Sequence, residues 1–457
     1  MTSPATAGIK FSDLVLPQQE SLSHLLSDLK KSSVSITNRL RSIVHDAAFV
    51  EQVAAAYAPR KLIANERCGS WYVDVQRKGG SAYFKSTDGH TDAWKMSTRR
   101  LNVHLLKTIE EDDGCIIVDS TRRGKKMPDA LSKTVPIWCA VLNALLFPNL
   151  PSSHILHTPP AVVSASEHAQ ITALLPSFVS SLALVSLDIP SLQRTLTKPL
   201  RPLWITPDTP LPSPSDTQTI FSSFRPVICC TASARSSAGE LSAAGYVQGA
   251  ADDTEMWAHG LTAPLFWAHR STLLATPEHD LPALMARLAA APRTREAAEY
   301  REIAPHICVA ALPVAAQCAV ADGRTCVISL TPDSAPVTKD DGGRWMARGI
   351  GKHKAASRNL RTALAEIGEF ASAFVRSRES ARVVVACESG KDISVGTALA
   401  LSCLLYNDDA SLRPADVQAD FTKTSIRVRL GKIMVDCPDV NPSRNTLQSV
   451  NSYLMGN

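Results

Sequence analysis

The chain has 457 residues, a formal net charge of +5 and 45% hydrophobic residues. This length predicts two or three domains, each with enough apolar residues for a core. The slight basic excess permits an RNA partner without requiring one. Eleven cysteines without a Cys-x-x-Cys pair argue against zinc ribbons and disulfide frameworks, and predict reduced thiols in the cytoplasm or the nucleus. No apolar run reaches membrane-spanning length, and the amino terminus carries no secretory signal.

The amino-terminal part begins with one periodic segment and continues with an aromatic and basic block. Apolar residues at helical spacing predict a helix from Ile36 to Tyr57. The stretch STDGHTDAW, with Asp88 and His90, is typical of a loop, whereas MSTRRLNVHLL predicts a helix capped by Ser97 or Thr98. Its basic residues suit a nucleic-acid surface, although most aromatics of this block fit a core better. The candidate RNA contacts are Lys95, Arg99 and Arg100.

Residues 115–143, CIIVDSTRRGKKMPDALSKTVPIWCAVLN, predict a buried strand, a polar loop and a helix opened by Pro128. Such loops bind anions, because free backbone amides and the positive end of a helix converge there. One acid, Asp119, stands at the strand tip. This pattern favours a polyphosphate or phosphosugar site, with a solvated basic turn as the alternative, and it matches neither a Walker nor a dinucleotide motif. The cations of this loop are Arg122, Arg123, Lys125 and Lys126.

Residues 148–237 are rich in Pro, Ser and Thr, and the segment YVQGAADDTEMWAHGLT follows them. Its three acids are near enough in sequence to bind Mg²⁺ through oxygen ligands, although an acidic first turn of a helix is the alternative. The candidate metal ligands are Asp252, Asp253 and Glu255. A charged helix at 281–301 then predicts a domain boundary, giving domains at 1–290 and 302–457.

The second domain repeats the strand–loop–helix design in VVVACESGKDISVGTALALSCLLY. Cys387, Gly390 and Ser394 fit the C-x-x-G-x-x-R-S loop of protein tyrosine and dual-specificity phosphatases, but Ile393 replaces the arginine that binds phosphate oxygens bidentately. We therefore predict a dual-specificity-phosphatase-like fold whose loop binds an anion without hydrolysing it. The alternative is a loop without any ligand. A cationic segment precedes it, with Arg344, Arg348, Lys352, Lys354 and Arg358.

Six blocks together resemble the initiator tRNA phosphoribosyl transferases of fungi and plants, and they occur in the order of that family. The blocks are ANERCGSWYVD, AYFKSTDGHTDAWKMSTRRLN, IIVDSTRRGKKMPDALSKTVPIWCAVLN, YVQGAADDTEMWAHGLT, ACESGKDISVGTALAL and PDVNPSRNTLQSVNSYLM. They cover most of the chain except its Pro/Ser-rich middle.

The resemblance implies an α/β protein with a family-specific N-terminal domain and a dual-specificity-phosphatase-like C-terminal domain. It also implies transfer of a 5-phosphoribosyl group from phosphoribosyl pyrophosphate to the 2′-OH of adenosine 64 of initiator tRNA, which keeps that tRNA out of elongation. Mg²⁺ is the implied cofactor, initiator tRNA is the partner, and no obligate protein partner is expected. The compartment expected is the cytoplasm, with the nucleus as the alternative.

Within this interpretation the residues take the following expected roles. Asp119 serves as the base or contacts the ribose or Mg²⁺, while Asp88 and His90 are reserve acid–base groups. The first loop binds donor phosphates through Ser120, Thr121, Arg122, Arg123, Gly124, Lys125 and Lys126. The second loop binds a phosphate of the donor or the tRNA through Cys387, Ser389, Gly390, Lys391, Asp392 and Ser394.

Two other functions stay open from the residues alone. One is a phosphatase that acts through Cys387. The other is a tRNA-binding protein without catalytic activity.

Overall fold

The computed structural model describes two compact units. The residues described are 35–122, 124–185, 187–212, 221–235, 245–291, 300–314, 323–333, 335–340, 342–414 and 420–456, without the side chains of 353 and 354. The N-terminal unit comprises Met1–Lys95, Thr108–Leu175 and Leu196–Ala291. The C-terminal unit comprises Met96–Lys107, Pro176–Thr195 and Pro292–Asn457.

A five-stranded sheet forms the centre of the N-terminal unit. Its strands are β1 (Lys61–Asn65), β2 (Lys78–Ala82), β3 (Cys115–Asp119), β4 (Leu200–Ile205) and β5 (Arg225–Thr231). They lie in the order β2-β1-β3-β5-β4, and every neighbouring pair is parallel. All five residues of β3 are buried, as expected for a central strand covered on both faces. Because parallel strands end at the same edge of a sheet, the residues that follow β1, β3 and β5 gather there.

Thirteen helices are described in the two units. In chain order they are α1 (Ile36–Ala56), α2 (Leu105–Glu111), α3 (Val135–Leu146), α4 (Ala165–Ala183), α5 (Ile189–Thr195), α6 (Thr254–Trp257), α7 (Ala263–Ala268), α8 (Arg270–Ala275), α9 (Leu281–Ala290), α10 (His353–Arg376), α11 (Ile393–Leu405), α12 (Lys423–Asp436) and α13 (Arg444–Leu454). Short 3₁₀ turns occur at Gly69–Trp71, Ser86–Gly89 and Pro151–Ser153, and a π-helical turn, Ala130–Thr134, leads into α3.

The apolar spacing of α1 explains its place in the core. Leu40, Ile43 and Val50 are fully buried and belong to one apolar cluster with Leu62 of β1 and Ile116 of β3. The helix begins where the Ser35 hydroxyl accepts a hydrogen bond from the Asn38 amide, which satisfies one of the free amides of its first turn.

A six-stranded sheet forms the centre of the C-terminal unit. Its strands are β6 (Arg301–Ala304), β7 (Ile307–Ala311), β8 (Thr325–Thr331), β9 (Thr338–Lys339), β10 (Trp345–Gly349) and β11 (Arg382–Cys387). The order is β6-β7-β11-β8-β10-β9, with four central parallel strands and an antiparallel strand at each edge. Helices α10, α11 and α13 supply buried residues to the same apolar cluster as β11.

Both predicted strand–loop–helix units are confirmed, at β3 followed by α3 and at β11 followed by α11. The predicted helix at 97–106 is wrong, because helical structure begins only at Leu105. The Ser97 hydroxyl accepts the Arg100 amide at 3.1 Å, as the predicted cap would, but Asn102 has a left-handed φ of 52°, which a helix does not allow. Within the described ranges, no helix is long and apolar enough to cross a membrane.

Candidate active site

The loop that follows β3 presents its cations to solvent. Arg122, Lys125 and Lys126 are exposed, whereas Ser120 and Thr121 are buried beneath them. Arg123, predicted to bind the donor, lies outside the described residues. We call residues 120–126 the basic loop. Its exposed side chains are placed at the carboxyl edge of a parallel sheet, which is where α/β proteins bind their ligands.

The Asp119 carboxylate, by contrast, is completely buried and already accepts four hydrogen-bond donors. Its Oδ1 accepts the Ser120 amide at 2.8 Å and the Cys68 thiol at 3.0 Å. Its Oδ2 accepts the Asn65 amide group at 2.8 Å. The Arg67 guanidinium is the fourth donor, with Nη2 3.1 Å from Oδ1. Both carboxylate oxygens are therefore engaged within the protein.

Arg67 connects this carboxylate to a second acid. Its Nη1 lies 2.7 Å from Oδ1 of Asp252, and its Nη2 also donates to the Ser120 carbonyl. Burial alone would lower the Arg67 pKa, but Asp119 and Asp252 together raise it. Arg67 is thus a permanently charged link between the ends of β1 and β3 and the turn that carries Asp252.

Asp252 differs from Asp119 in keeping one oxygen unpaired. Its side chain is 8% exposed, and its buried Oδ2 accepts no hydrogen bond within the described ranges. This oxygen lies beside Gly249, whose φ of +68° favours glycine, and a Cβ there would stand 2.7 Å from the Thr121 carbonyl and 3.1 Å from Asp252 Oδ2. Burial raises the Asp252 pKa, while Arg67 opposes that shift.

Two polar side chains hold the backbone of the basic loop. Gln248 accepts the Gly124 amide at 3.3 Å and donates to the Lys125 carbonyl at 2.8 Å. The Ser233 hydroxyl, after β5, lies 3.3 Å from both the amide and the carbonyl of Thr121. The loop is therefore tied to the segments after β5.

The reserve acid–base residues lie at the far end of the basic loop. His90 Nε2 is 3.7 Å from Oδ2 of Asp129. The same Oδ2 lies 2.9 Å from Lys125 Nζ, and Oδ1 of Asp129 lies 3.1 Å from Lys133 Nζ. Burial opposes the shift, but these two lysines lower the Asp129 pKa. The Asp88 carbonyl accepts the Lys95 amide at 2.9 Å. These contacts place the 88–90 turn beside Asp129.

The three acids predicted to bind metal do not converge. Asp252 is buried against Arg67, whereas Asp253 and Glu255 are exposed. The left-handed backbone at Asp253, with a φ of 52°, separates Asp252 from the helix that contains Glu255. Among the residues that the structure describes, no group of three His, Cys, Asp or Glu side chains has the geometry of a metal site. The described residues thus do not bring Asp252, Asp253 and Glu255 together, and their role as metal ligands stays a prediction.

The second loop, residues 387–394, follows β11 in the C-terminal unit. Cys387 is 4% exposed, with its Sγ 3.1 Å from the Ser394 hydroxyl and 3.8 Å from that of Ser389. Burial acts to raise its pKa, but hydrogen bonds with Ser394 and Ser389 lower it overall. Gly390 has a φ of +68°, and a Cβ there would lie 2.8 Å from the Ala310 carbonyl carbon. The loop therefore has a left-handed backbone at Gly390 and a close approach to β7 there, and a side chain at this position would clash.

Three other members of this loop are engaged within the protein. Ile393 is buried in the apolar cluster, so the position of the phosphatase arginine is filled by core packing. Lys391 Nζ lies 3.3 Å from Asp439. Asp392 accepts the Ser443 amide at 2.8 Å and the Thr446 hydroxyl at 2.7 Å, which ties it to the start of α13.

The predicted tRNA contacts divide by exposure. Lys95, Lys352 and Arg358 are exposed, and the side chain of Lys354 lies outside the described residues. Arg99, Arg344 and Arg348 are half-buried. Arg100 is also half-buried, and its guanidinium donates to the Val440 carbonyl at 3.0 Å and to the Asn441 side chain. Arg100 therefore has a structural task within the C-terminal unit.

Sequence reasoning missed Arg67, Asn65 and Gln248. A signal existed for the first two, because LIA followed by Asn-Glu-Arg-Cys repeats the apolar-run-then-polar pattern of CIIV followed by Asp-Ser-Thr. What was missing was the pairing of β1 with β3, which brings the ends of the two strands together.

Comparison with known proteins identifies the family. The Rit1 N-terminal domain model matches residues 29–290, and the Rit1 DUSP-like domain model matches residues 344–454. A Saccharomyces cerevisiae relative, tRNA A64-2'-O-ribosylphosphate transferase, is 34% identical over 494 aligned residues, which cover 95% of each chain. The chain belongs to the Rit1 family. An uncharacterized Schizosaccharomyces pombe relative is 49% identical over 251 residues, and the chain spans about half of its length, 54%.

Membership of the Rit1 family confirms the predicted order of a family-specific N-terminal domain and a dual-specificity-phosphatase-like domain. It also confirms the α/β class, since both units contain helices and largely parallel sheets. The Rit1 N-terminal match contains the whole Asp119 site, and the DUSP-like match contains the Cys387 loop.

Proposed function

We propose that this chain transfers a 5-phosphoribosyl group from phosphoribosyl pyrophosphate to the ribose 2′-OH of adenosine 64 of initiator methionyl tRNA, and so keeps that tRNA out of elongation. The observation that carries the proposal is the 34% identity over 95% of both chains to a tRNA A64-2'-O-ribosylphosphate transferase. Identity spread over both units argues that substrate and reaction are shared along with the fold.

The basic loop is the proposed donor site. Phosphoribosyl pyrophosphate carries a 5-phosphate and a diphosphate, and Arg122, Lys125 and Lys126 offer exposed cations to such groups. The reaction breaks the bond from the anomeric carbon to the diphosphate oxygen, whose electron pair leaves with pyrophosphate. The tRNA 2′-oxygen forms the new bond, and positive charge develops on the sugar as in glycoside chemistry. Cations at the leaving group stabilise that transition state.

We propose that Mg²⁺ binds to the donor, phosphoribosyl pyrophosphate, and not to protein side chains. Asp252 is paired with Arg67, and the described residues offer no three-ligand site, so the side chains do not fit a resident ion. Mg²⁺ commonly binds phosphate oxygens of a substrate and keeps several waters. We assign it to the diphosphate of phosphoribosyl pyrophosphate rather than to a site built by protein side chains.

The proposed roles of Asp119 and the two reserve residues follow from their surroundings. Asp119 is engaged by four donors, which suits a group that fixes the shape of the basic loop. His90 and Asp88 lie beside Asp129, at the other end of the loop from Asp119, so they stay secondary candidates for contact with the donor.

For the tRNA surface we propose the exposed cations Lys95, Lys352 and Arg358, with Arg99, Arg344, Arg348 and Lys354 as further candidates. These side chains would contact phosphates, which position an RNA without reading its sequence. Arg100 is not proposed as a tRNA contact, because its guanidinium donates to the Val440 carbonyl and the Asn441 side chain.

For the 387–394 loop we propose anion binding without hydrolysis. A thiolate phosphatase needs an arginine fork for its substrate phosphate, and Ile393 is buried in the core at that position. The loop amides and the start of α11 remain suited to a phosphate of the donor or the tRNA. The relative named as a transferase favours transfer over both alternatives, a phosphatase and a non-catalytic tRNA-binding protein.

The cellular setting is also a proposal. The cysteines described in the structure are free and buried, in keeping with a reducing compartment, for which we propose the cytoplasm or else the nucleus. The proposed reaction requires a tRNA and a donor, without an obligate protein partner.

The test is incorporation of label from phosphoribosyl pyrophosphate labelled in its ribose into unfractionated tRNA, with and without Mg²⁺. The proposal expects label in one tRNA species and none with chelator. Label released as free ribose phosphate, or phosphate released from an aryl phosphate in a Cys387-dependent way, would favour a hydrolase instead.

A further inference from the structure

The N-terminal unit holds two buried acids on either side of Arg67, and they are not equivalent. Both oxygens of Asp119 accept donors from the protein, whereas Oδ2 of Asp252 accepts none among the described residues. A buried carboxylate oxygen without a partner is costly and calls for an explanation. A hydroxyl of a substrate is the kind of donor that would complete it.

The surroundings of Oδ2 connect it to the proposed donor site. It lies against Gly249, at the point where that glycine meets the Thr121 carbonyl and the Arg122 Cα of the basic loop. The other oxygen, Oδ1, is held 2.7 Å from Arg67 Nη1, so the carboxylate cannot rotate away without breaking that ion pair. Oδ2 is therefore a fixed, unused acceptor directly beneath the loop that carries the exposed cations.

We propose that Asp252 is the proton acceptor for the attacking 2′-OH of the tRNA and that Arg67 and Asp119 position it. This inference rests on the proposed function. The 2′-O–H bond breaks with its proton passing to Asp252 Oδ2, the 2′-oxygen bonds to the anomeric carbon, and pyrophosphate departs with the electron pair of the old bond. Protons and charge balance without any further reactant.

Access to Oδ2 depends on the basic loop. The oxygen is buried, and a Cβ on Gly249 would stand 3.1 Å from it, 2.7 Å from the Thr121 carbonyl oxygen and 3.1 Å from Arg122 Cα, so the loop backbone lies close by. A 2′-OH would reach Oδ2 only after this backbone moves, and donor phosphates that bind the exposed Arg122 are the proposed cause of that movement. Catalytic hydrogen bonds commonly form only in the substrate complex, so shielding in the free protein is compatible with this role.

The charged groups around Asp252 set the sign of its pH dependence. Burial raises the Asp252 pKa most, Arg67 and Arg122 lower it, and Asp119 raises it. Asp252 must be ionised to accept a proton, so activity falls as pH drops through its pKa. Replacing Arg67 by Gln removes a cation that lowers this pKa, so the acidic limb of the kcat profile should move to higher pH. Two further ionisable groups face Asp252. Arg39 is not acted on by Arg67, whereas the Cys68 pKa, already raised by burial, loses the lowering effect of Arg67 in that variant.

The experiment compares Asp252→Asn, Asp252→Ala and the exposed control Asp280→Asn in the full chain. At saturating donor and tRNA, kcat of Asp252→Asn should fall by about 10²–10⁴-fold, with KM for the donor nearly unchanged. Formate, a small carboxylate that fits beside Arg67, should restore activity to Asp252→Ala and leave the wild-type and Asp280→Asn rates unchanged. Asp252→Asn preserves side-chain size, which keeps the test valid if the alanine variant unfolds.

Near-normal kcat in Asp252→Asn would overturn the inference, as would a loss confined to KM, which would mean a structural or donor-binding role. An acidic limb that stays at the same pH in Arg67→Gln would also contradict it. In each of these results the wild type still transfers label to tRNA, so the proposed function stands. A wild-type protein that transfers nothing would overturn the proposed function and this inference together.

Discussion

The Cys387 thiol and the Ser394 hydroxyl lie 3.1 Å apart at the carboxyl end of the central strand of the C-terminal unit. This is the arrangement of a phosphatase nucleophile and its serine, and the Cys387 pKa is lowered accordingly. The neighbouring Ile393, however, is part of the apolar core. The cysteine and serine are thus retained without the arginine that would hold a phosphate ester against the thiol.

We predict that Cys387→Ser keeps most of the transferase activity. Transfer of a sugar to a hydroxyl needs no thiolate, and the serine hydroxyl can keep the contact with Ser394. Initial rates of label transfer to tRNA, measured beside thermal unfolding curves, provide the check. Complete loss of transfer in a folded Cys387→Ser protein would imply a covalent role for this cysteine.

The buried acids should differ in their effect on stability. Asp119→Asn removes one of the two carboxylate partners of Arg67 inside the protein, and breaking a buried pair typically costs about 3–5 kcal/mol. Asp252→Asn should cost less, because only one oxygen of Asp252 is paired, with Arg67, whereas both oxygens of Asp119 accept donors. Urea unfolding of both variants at neutral pH measures the difference. Equal losses, or a greater loss for Asp252→Asn, would contradict this ranking.

The strand–loop–helix units around Asp119 and Cys387 were predictable because apolar runs, glycine and proline are local signals. The Arg67 link was not, since it depends on β1 lying beside β3 and on a turn 185 residues further along the chain. The acids 252, 253 and 255 illustrate the opposite case. Their proximity in sequence suggested a metal site. The left-handed backbone at Asp253 instead leaves Asp252 buried and Asp253 and Glu255 exposed.

The exposed cations of the C-terminal unit should contribute to tRNA affinity through counterion release. Replacing Lys352 and Arg358 by Ala should reduce the slope of log affinity against log salt by roughly 0.7–0.9 for each phosphate that the protein then leaves unneutralised. Lys423→Ala, an exposed lysine outside the predicted set, is the matched control. An unchanged slope in the double variant, measured by filter binding, would remove this segment from the tRNA surface.

Asp46 should make the stability of the N-terminal unit depend on pH. Its side chain is 1% exposed, and burial raises its pKa to about 8 despite a 2.9 Å hydrogen bond from Tyr246. The folded state therefore binds a proton that the unfolded state releases above its ordinary pKa. The free energy of unfolding should fall between about pH 4 and pH 8, with a slope of up to about 1.4 kcal/mol per pH unit.

Asp46→Asn removes this titration, so its stability profile should be flatter over the same range. Urea unfolding at several pH values, with Asp280→Asn as the control, compares the two slopes. Identical slopes in wild type and Asp46→Asn would mean that Asp46 is not the titrating group.

The proposed acceptor is one hydroxyl of one nucleotide. The most direct measurement incubates the protein with labelled phosphoribosyl pyrophosphate, Mg²⁺ and either initiator tRNA or the same tRNA with a 2′-deoxyribose at adenosine 64. Nuclease mapping and mass spectrometry then locate the label. We predict one ribosyl phosphate per tRNA at adenosine 64 in the first tRNA and no transfer to the second. Equal labelling of both tRNAs, or label at another position, would contradict the proposed reaction.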